Sequence, residues 1–125
     1  WEAIKRRQRG ITTAQQAMRD VSKGLSPTMR AGKVQQKAAR AGYAFPEAED
    51  ALQAVRNAAV KVGETMNRKR DPEKALGEML FDAVNVTRLC GKSADIALNE
   101  ATDRFIDRFS TAETATNAAK NAPNT

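Results

Sequence analysis

The chain of 125 residues contains no histidine, a single cysteine and only six aromatic side chains. Without histidine there is no Ser-His-Asp triad, no Cys-His nucleophile pair and no histidine-based zinc site. The lone Cys90 excludes a disulfide within the chain. Six aromatics offer few surfaces on which nucleic-acid bases could stack. The remaining possibilities are chemistry by carboxylates, lysine, arginine and a hard metal ion, or no chemistry at all.

Long apolar runs are also missing. No stretch approaches the ~18 apolar residues that a membrane span needs. The charged start, Trp1–Arg7, lacks the apolar segment of a signal peptide. A single cysteine is typical of a reducing compartment. We therefore expect a cytoplasmic location and no membrane partner.

Positive charge is concentrated in the first third of the chain, although the formal net charge is only +6. Residues 1–40 hold ten Lys/Arg against two acids, a net +8, whereas residues 41–125 hold eleven against thirteen, a net −2. A basic segment indicates either a phosphate-rich partner or a solvated helix face or linker. Because the spacing defines no nucleic-acid motif, the solvated face is favoured and a nucleic-acid partner is the weaker alternative.

The pattern of apolar residues has a helical period and no strand period, which predicts an all-α antiparallel helical bundle. Helices are predicted over 27–41, 46–66, 71–89 and 93–109. Ser26 is the predicted cap of the first of these helices, and Asp71 is the predicted cap of the third. Residues 1–26 are predicted as a short basic helix and linker, 27–109 as the helical domain, and 110–125 as a frayed or disordered tail.

Three apolar stripes are predicted to face the core. They comprise Leu52, Val55, Ala59 and Val62; Leu76, Leu80, Phe81, Val84 and Leu89; and Ile96, Ala97, Ala101, Phe105 and Phe109. Much of this surface is Ala and Val, which makes a thin core for one chain. A homodimer that packs helix faces together would bury more apolar area.

Three runs, in order, resemble the C-terminal domain of the MazG family of nucleoside triphosphate pyrophosphohydrolases. Met29–Tyr43 is similar to the family's RAxKxQKxAAxxGFDW run, Ala75–Arg88 to ELGDLLFxxVNxAR, and Ile96–Phe109 to xALxxANxKFxRRF. The resemblance implies an all-α domain that dimerises, binds Mg²⁺ through acidic residues on two helices and cleaves nucleoside triphosphates to monophosphate and pyrophosphate. Hard oxygen ligands suit Mg²⁺, so the missing histidines are no objection to that chemistry.

The sequence departs from the family at the expected metal ligands. Asn57, Ala58 and Lys61 stand where the family's EExxE motif has its three acids, and Ala75 and Glu78 stand where its ExxD pair lies. One carboxylate of five is left, lengthened by one methylene. The replacements remove four negative charges and add one positive charge, which contributes to the basic balance of the whole chain.

Other side chains offer partial substitutes for the missing ligands. Glu78 and Asp82 lie four residues apart on one helix and are the candidate metal ligands, since two carboxylates with waters can hold Mg²⁺ weakly; the alternative is ordinary solvated charge. Lys61 is predicted to enter the metal pocket and to form a partly buried ion pair with Glu78. Matched to the family, Lys33, Asn85, Arg104 and Arg108 are candidate contacts to phosphate or substrate, and Arg suits phosphate oxygens through its planar fork.

Two functions follow from this pattern, and the catalytic residues stay unassigned. One is a divergent pyrophosphohydrolase whose activity is weak or lost because four of five metal ligands are absent. The other is an inactive domain of the same fold that serves in dimerisation or nucleotide sensing. Catalysis that depends on metal and charge placement has little covalent chemistry to replace it, so missing ligands cost most of the rate.

Overall fold

The computed structural model of the chain describes residues 1–121, except for the side chains of residues 7–12 and 112. Over these residues the chain is all helical, with no strand, as the sequence predicts. The helices are α1 (Glu2–Arg19), α2 (Pro27–Arg40), α3 (Ala48–Asn67), α4 (Glu73–Leu89) and α5 (Ala94–Asn121). Within this part of the chain, none of them combines the length and apolar character required to span a bilayer.

The chain divides into two compact units, Trp1–Ala94 and Asp95–Thr125. In the first unit the most extensive packing joins α3 to α4, while α2 packs against α4 and α1 against α2. Only residues 68–72 connect α3 to α4, so the two helices form an antiparallel hairpin. The second unit consists of α5 in its described part.

Local side chains and glycines set several of the helix boundaries. The Ser26 hydroxyl accepts a hydrogen bond from the backbone N–H of Met29 at 3.2 Å, which confirms the predicted cap of α2. The Asp71 carboxylate accepts a hydrogen bond from the N–H of Glu73, the first residue of α4, at 3.0 Å, although the N-cap position itself is Pro72 and not the predicted Asp71. Gly42 and Gly91 follow α2 and α4 with φ of +97° and +72°, a conformation that glycine adopts without steric cost.

The first and last helices of the chain, α1 and α5, are longer than the sequence pattern predicts. Helix α1 continues through Gly10 to Arg19, because one interior glycine costs only ~1 kcal/mol and a flanking sequence rich in helix formers offsets that cost. Helix α5 continues past Phe109 to Asn121, since residues 110–121 contain neither glycine nor proline to end it. The last four residues of the predicted tail, 122–125, lie outside the described residues.

The buried face of α3 is shifted by one position from the predicted stripe at two of its residues. Ala51, Ala58 and Val62 are buried, whereas Leu52 is 41% exposed and Ala59 is also exposed. Small side chains on this face let α3 and α4 approach closely, and the larger Leu52 lies outside the contact. The prediction that Leu52 and Ala59 face the core is therefore wrong, while Val62 is confirmed.

Other predicted core residues lie at the surface. On α4, Val84 is buried, but Leu80 and Phe81 are 62% and 42% exposed. On α5, which lies in the second unit, Phe105 and Phe109 are each 59% exposed. Apolar periodicity alone therefore does not identify the core, because a helix face is buried only where another element covers it.

Helix α3 ends with a strained residue that is neither glycine nor asparagine. Lys69 has φ +54°, and the N–H of Arg70 donates to the carbonyl oxygen of Thr65, as in a Schellman closure. Because a Cβ is disfavoured in this conformation, Lys69→Gly is expected to raise the free energy of unfolding by about 0.5–1 kcal/mol. Urea denaturation measures the change.

Lys33→Gly is the control for the Lys69 substitution, because it makes the same chemical change inside α2. It is expected to lower the free energy of unfolding by about 1 kcal/mol through the poor helix propensity of glycine. If both substitutions destabilise the protein, the backbone of Lys69 is not strained and the expectation is wrong.

Candidate functional site

An open cleft of about 540 Å³ lies at the turn of the α3–α4 hairpin. Its walls are the last turns of α3, the connection between the two helices and the first turns of α4. The lining residues are Lys61, Glu64, Thr65, Arg68, Arg70, Asp71, Lys74, Ala75 and Glu78. We refer to these nine residues as the hairpin cleft.

Because of the helical spacing, side chains from both walls of the hairpin cleft point into the same space. Lys61 and Arg68 lie seven residues apart, two turns along one face of α3, and Ala75 and Glu78 lie one turn apart on α4. The Thr65 hydroxyl donates to the carbonyl oxygen of Lys61 at 2.8 Å, so that side chain is held on its own helix. The cleft wall is therefore formed mainly by charged side chains.

Cations outnumber carboxylates in the hairpin cleft. It contains Lys61, Arg68, Arg70 and Lys74 against the three carboxylates of Glu64, Asp71 and Glu78. In the described part of the chain, none of these four cations has a carboxylate oxygen within 4.0 Å. The site thus presents positive groups that no neighbouring acid neutralises directly.

The predicted Lys61–Glu78 ion pair is not formed. The two side chains line the same cleft, as expected, but both are exposed, and no ion pair joins them among the described residues. The prediction of a partly buried ion pair between Lys61 and Glu78 is therefore wrong. A solvated Lys and Glu gain little by holding one fixed geometry, which explains why the pair stays open.

The hairpin cleft does not offer the ligand set of a magnesium site. Of the five positions where the resemblance places metal ligands, Lys61, Ala75 and Glu78 line the cleft, and only Glu78 is an acid. No group of three Asp, Glu or Cys side chains able to hold a metal ion occurs within residues 1–121 as described. The described residues therefore do not form the five-carboxylate ligand set that the family resemblance implies.

The remaining candidate metal positions lie outside the cleft lining. Asn57 accepts a hydrogen bond from the side-chain amide of Gln53 at 3.1 Å, and Ala58 is buried at 8% exposure. Asp82 is half-buried on α4, one turn beyond Glu78, and does not line the cleft. The Glu78–Asp82 pair thus shares a helix, but only Glu78 reaches the cleft.

Asn85, a predicted substrate contact, is buried at 7% exposure on α4. Its side-chain amide oxygen accepts a hydrogen bond from the Arg88 guanidinium at 2.8 Å. The Arg88 guanidinium also lies 4.6 Å from the ring centre of Phe45, a cation–π contact that ties the connector before α3 to α4. These contacts give Asn85 a packing role in addition to the predicted substrate role.

The other predicted phosphate contacts are exposed. Lys33 lies on α2 and does not line the hairpin cleft. Arg104 and Arg108 lie on α5, in the second unit.

Several lining residues were not predicted as part of a site, and four of them lie at or beside the hairpin connection. Arg68, Arg70, Asp71 and Lys74 read in the sequence as a basic turn and a helix start. The signal that would have found them is their position: they lie on or beside the short connection between the two helices that carry the expected metal positions.

No family model matches the chain. The nucleoside triphosphate pyrophosphohydrolase of Escherichia coli (strain K12) is 28% identical over 113 residues, which cover 87% of this chain and 43% of that protein. The nucleoside triphosphate pyrophosphohydrolase/pyrophosphatase MazG of Thermotoga maritima is 24% identical over 109 residues, 87% of this chain and 42% of that protein. This chain thus spans less than half the length of the curated relatives that it matches.

Proposed function

Because its homology over 87% of its length makes this chain MazG-like, we propose that it binds a nucleoside triphosphate in the hairpin cleft and hydrolyses it weakly or not at all. The observation that carries this proposal is the cleft's charge. Where the family resemblance places carboxylates for Mg²⁺, the chain has Lys61, Ala75 and Glu78, with Arg68, Arg70 and Lys74 around them.

Positive side chains suit a triphosphate directly. A triphosphate is a polyanion, and Lys and Arg donate charge-assisted hydrogen bonds to phosphate oxygens, with Arg donating two in parallel. The four cations of the hairpin cleft supply part of the charge neutralisation that metal ions supply elsewhere. Binding is therefore expected without a divalent ion.

Hydrolysis demands more than neutralised charge. Releasing pyrophosphate from a triphosphate requires a water molecule that is activated and held in line with the scissile bond. Glu64 and Glu78 are the acids of the cleft that are not engaged in a helix cap, and they are not joined to a third ligand that would complete a metal site. This arrangement supports a nucleotide-sensing role over an efficient hydrolase.

Substitutions in the cleft test the binding proposal. In EDTA, Lys61→Gln and Arg70→Gln are each expected to weaken ATP binding about fivefold, because each removes one phosphate contact. Isothermal titration calorimetry measures the affinity. Arg56→Gln is the matched control, since Arg56 is exposed on α3, outside the cleft lining, and is expected to leave the affinity unchanged.

Two results contradict the proposal. Equal loss of affinity in the Arg56 and Lys61 variants shows that binding follows net charge and not the cleft. Rapid pyrophosphate release from any nucleoside triphosphate with Mg²⁺ or Mn²⁺ shows that the domain is an efficient enzyme despite its altered ligands. Matching substitutions at Lys33, Arg104 and Arg108 test the predicted phosphate contacts outside the cleft.

We also propose that the chain forms a homodimer through an apolar face of α5. Helix α5 exposes Phe105, Ile106 and Phe109 to between 53% and 59%, a large apolar surface for a single helix of a protein in water. Phe105→Glu is expected to convert a dimer to a monomer in sedimentation velocity, whereas Thr114→Glu on the same helix leaves it a dimer. A wild-type chain that sediments as a monomer contradicts this expectation.

A further inference from the structure

A second concave surface lies in the first unit, where α1, the segment that follows it, α2 and α4 meet. It is a groove of about 460 Å³ that shares no lining residue with the hairpin cleft. We call it the α1–α2 groove. Its volume lies within the range of small-molecule sites, ~300–1,000 Å³.

The charge of the α1–α2 groove is of one sign. Arg19, Lys23 and Arg30 line it, and no acid does. In the part of the chain that the structure describes, none of these cations forms an ion pair, and the buried Nε of Arg30 has no hydrogen-bond partner. Asp20 does not line the groove, and its carboxylate accepts a hydrogen bond from the Gln16 amide at 2.9 Å. The groove therefore favours an anion.

The floor of the α1–α2 groove is apolar. Met18, Leu25, Val34 and Phe81 line it, and the Phe81 side chain remains 42% exposed. The side-chain amide of Gln35 donates to the Phe81 carbonyl oxygen at 2.9 Å, which ties the α4 backbone to α2 at this point. The aromatic ring thus sits on a fixed backbone and offers a face or edge on which a flat ring can pack.

We infer that the α1–α2 groove binds a small organic phosphate that carries a flat ring, such as a nucleoside monophosphate. The phosphate lies among Arg19, Lys23 and Arg30, and the ring packs against Phe81. A free inorganic phosphate would pair only with the cations of the groove, and an uncharged ring would pack only against its apolar floor. This inference uses the basic first third of the chain, which the hairpin cleft leaves unexplained.

Adenosine monophosphate is the probe, titrated in EDTA with the full chain and followed by isothermal titration calorimetry. We expect AMP to bind more tightly than adenosine or inorganic phosphate, since each of these has only half of the complementary chemistry. Arg30→Gln and Lys23→Gln are each expected to weaken AMP binding at least about fivefold. Lys23 is exposed, so its variant tests the groove even if Arg30→Gln fails to fold.

Two control variants locate the binding. Arg40→Gln makes the same change on α2 at an exposed position outside the groove and is expected to leave AMP affinity unchanged. Arg56→Gln changes an exposed arginine of α3 that lines neither the groove nor the hairpin cleft, and it is likewise expected to have no effect on AMP binding. The inference is overturned if AMP does not bind, if adenosine binds as tightly, or if either control weakens AMP binding as much as Lys23→Gln does.

The outcome is separable from that of the proposed function. AMP binding in EDTA requires neither triphosphate binding in the hairpin cleft nor pyrophosphate release. A chain that fails to bind ATP in the cleft but binds AMP through Lys23 and Arg30 supports this inference alone.

Discussion

Placing carboxylates at the family's ligand positions in the hairpin cleft is expected to create a site that binds Mg²⁺ more tightly than the wild-type chain does. The variant combines Asn57→Glu, Lys61→Glu, Ala75→Glu and Glu78→Asp. Three of these positions line the cleft, and Asn57 lies one turn before Lys61 on an exposed face of α3. Acids at these positions supply the hard oxygen ligands that Mg²⁺ prefers.

Ala58 is left unchanged in this variant. It is only 8% exposed within the α3 face that packs in the core. A carboxylate there would lose its hydration without reaching the cleft, a cost of several kcal/mol. The family pattern alone would have included this position.

The expected signature is a stability that depends on the metal. Without Mg²⁺ the clustered acids repel one another and lower the thermal midpoint of the variant. At a Mg²⁺ concentration a hundredfold above its dissociation constant, binding to the folded state adds about 2.7 kcal/mol. Differential scanning fluorimetry with and without Mg²⁺ measures both effects, and pyrophosphate release is assayed on the same samples.

The matched control places glutamine at the same four positions, with similar side-chain size and no charge. It is expected to show no response to Mg²⁺. If Mg²⁺ stabilises the glutamine variant or the wild type as strongly as the carboxylate variant, the stabilisation does not come from Mg²⁺ bound to the introduced carboxylates. If the carboxylate variant shows no Mg²⁺ response, the hairpin cleft is not where the ligands implied by the family resemblance belong.

Several of the helices could be predicted from the sequence because their ends carry local signals. Ser26, Asp71 and Gly91 each act within a few residues of their position in the chain, so an isolated segment contains the needed information. The register of α3 could not be predicted as well. Leu52 is more hydrophobic than Ala51, yet Ala51 is buried, because close approach of α4 favours the small residue.

The site was predictable only where a motif pointed to it. The order of the family runs identified Lys61, Ala75 and Glu78, and the fold places all three in one cleft. Arg70 and Lys74 became part of the site through the hairpin connection, which brings the end of α3 to the start of α4. The sequence signal for these residues is their position at the short connection between α3 and α4, but only the packing of the two helices shows that their charges converge in one cleft.

Gln35 is the most buried side chain of appreciable size, at 1% exposure, and its loss is expected to destabilise the fold strongly. Its amide nitrogen donates to the Phe81 carbonyl oxygen at 2.9 Å, whereas its own oxygen has no partner. Gln35→Ala leaves a cavity between α2 and α4 and removes the hydrogen bond. We expect a loss of about 2–4 kcal/mol in the free energy of unfolding, measured by urea denaturation.

Gln35→Met separates the effect of volume from that of the hydrogen bond. Methionine fills nearly the same space, and the substitution also removes the unpartnered buried oxygen. The Phe81 carbonyl keeps its bond within α4, so its loss of the Gln35 donor costs little. We therefore expect Gln35→Met to lie within about 1 kcal/mol of the wild type. A methionine variant as unstable as the alanine variant would show that the amide bond, and not the packing, holds α2 to α4.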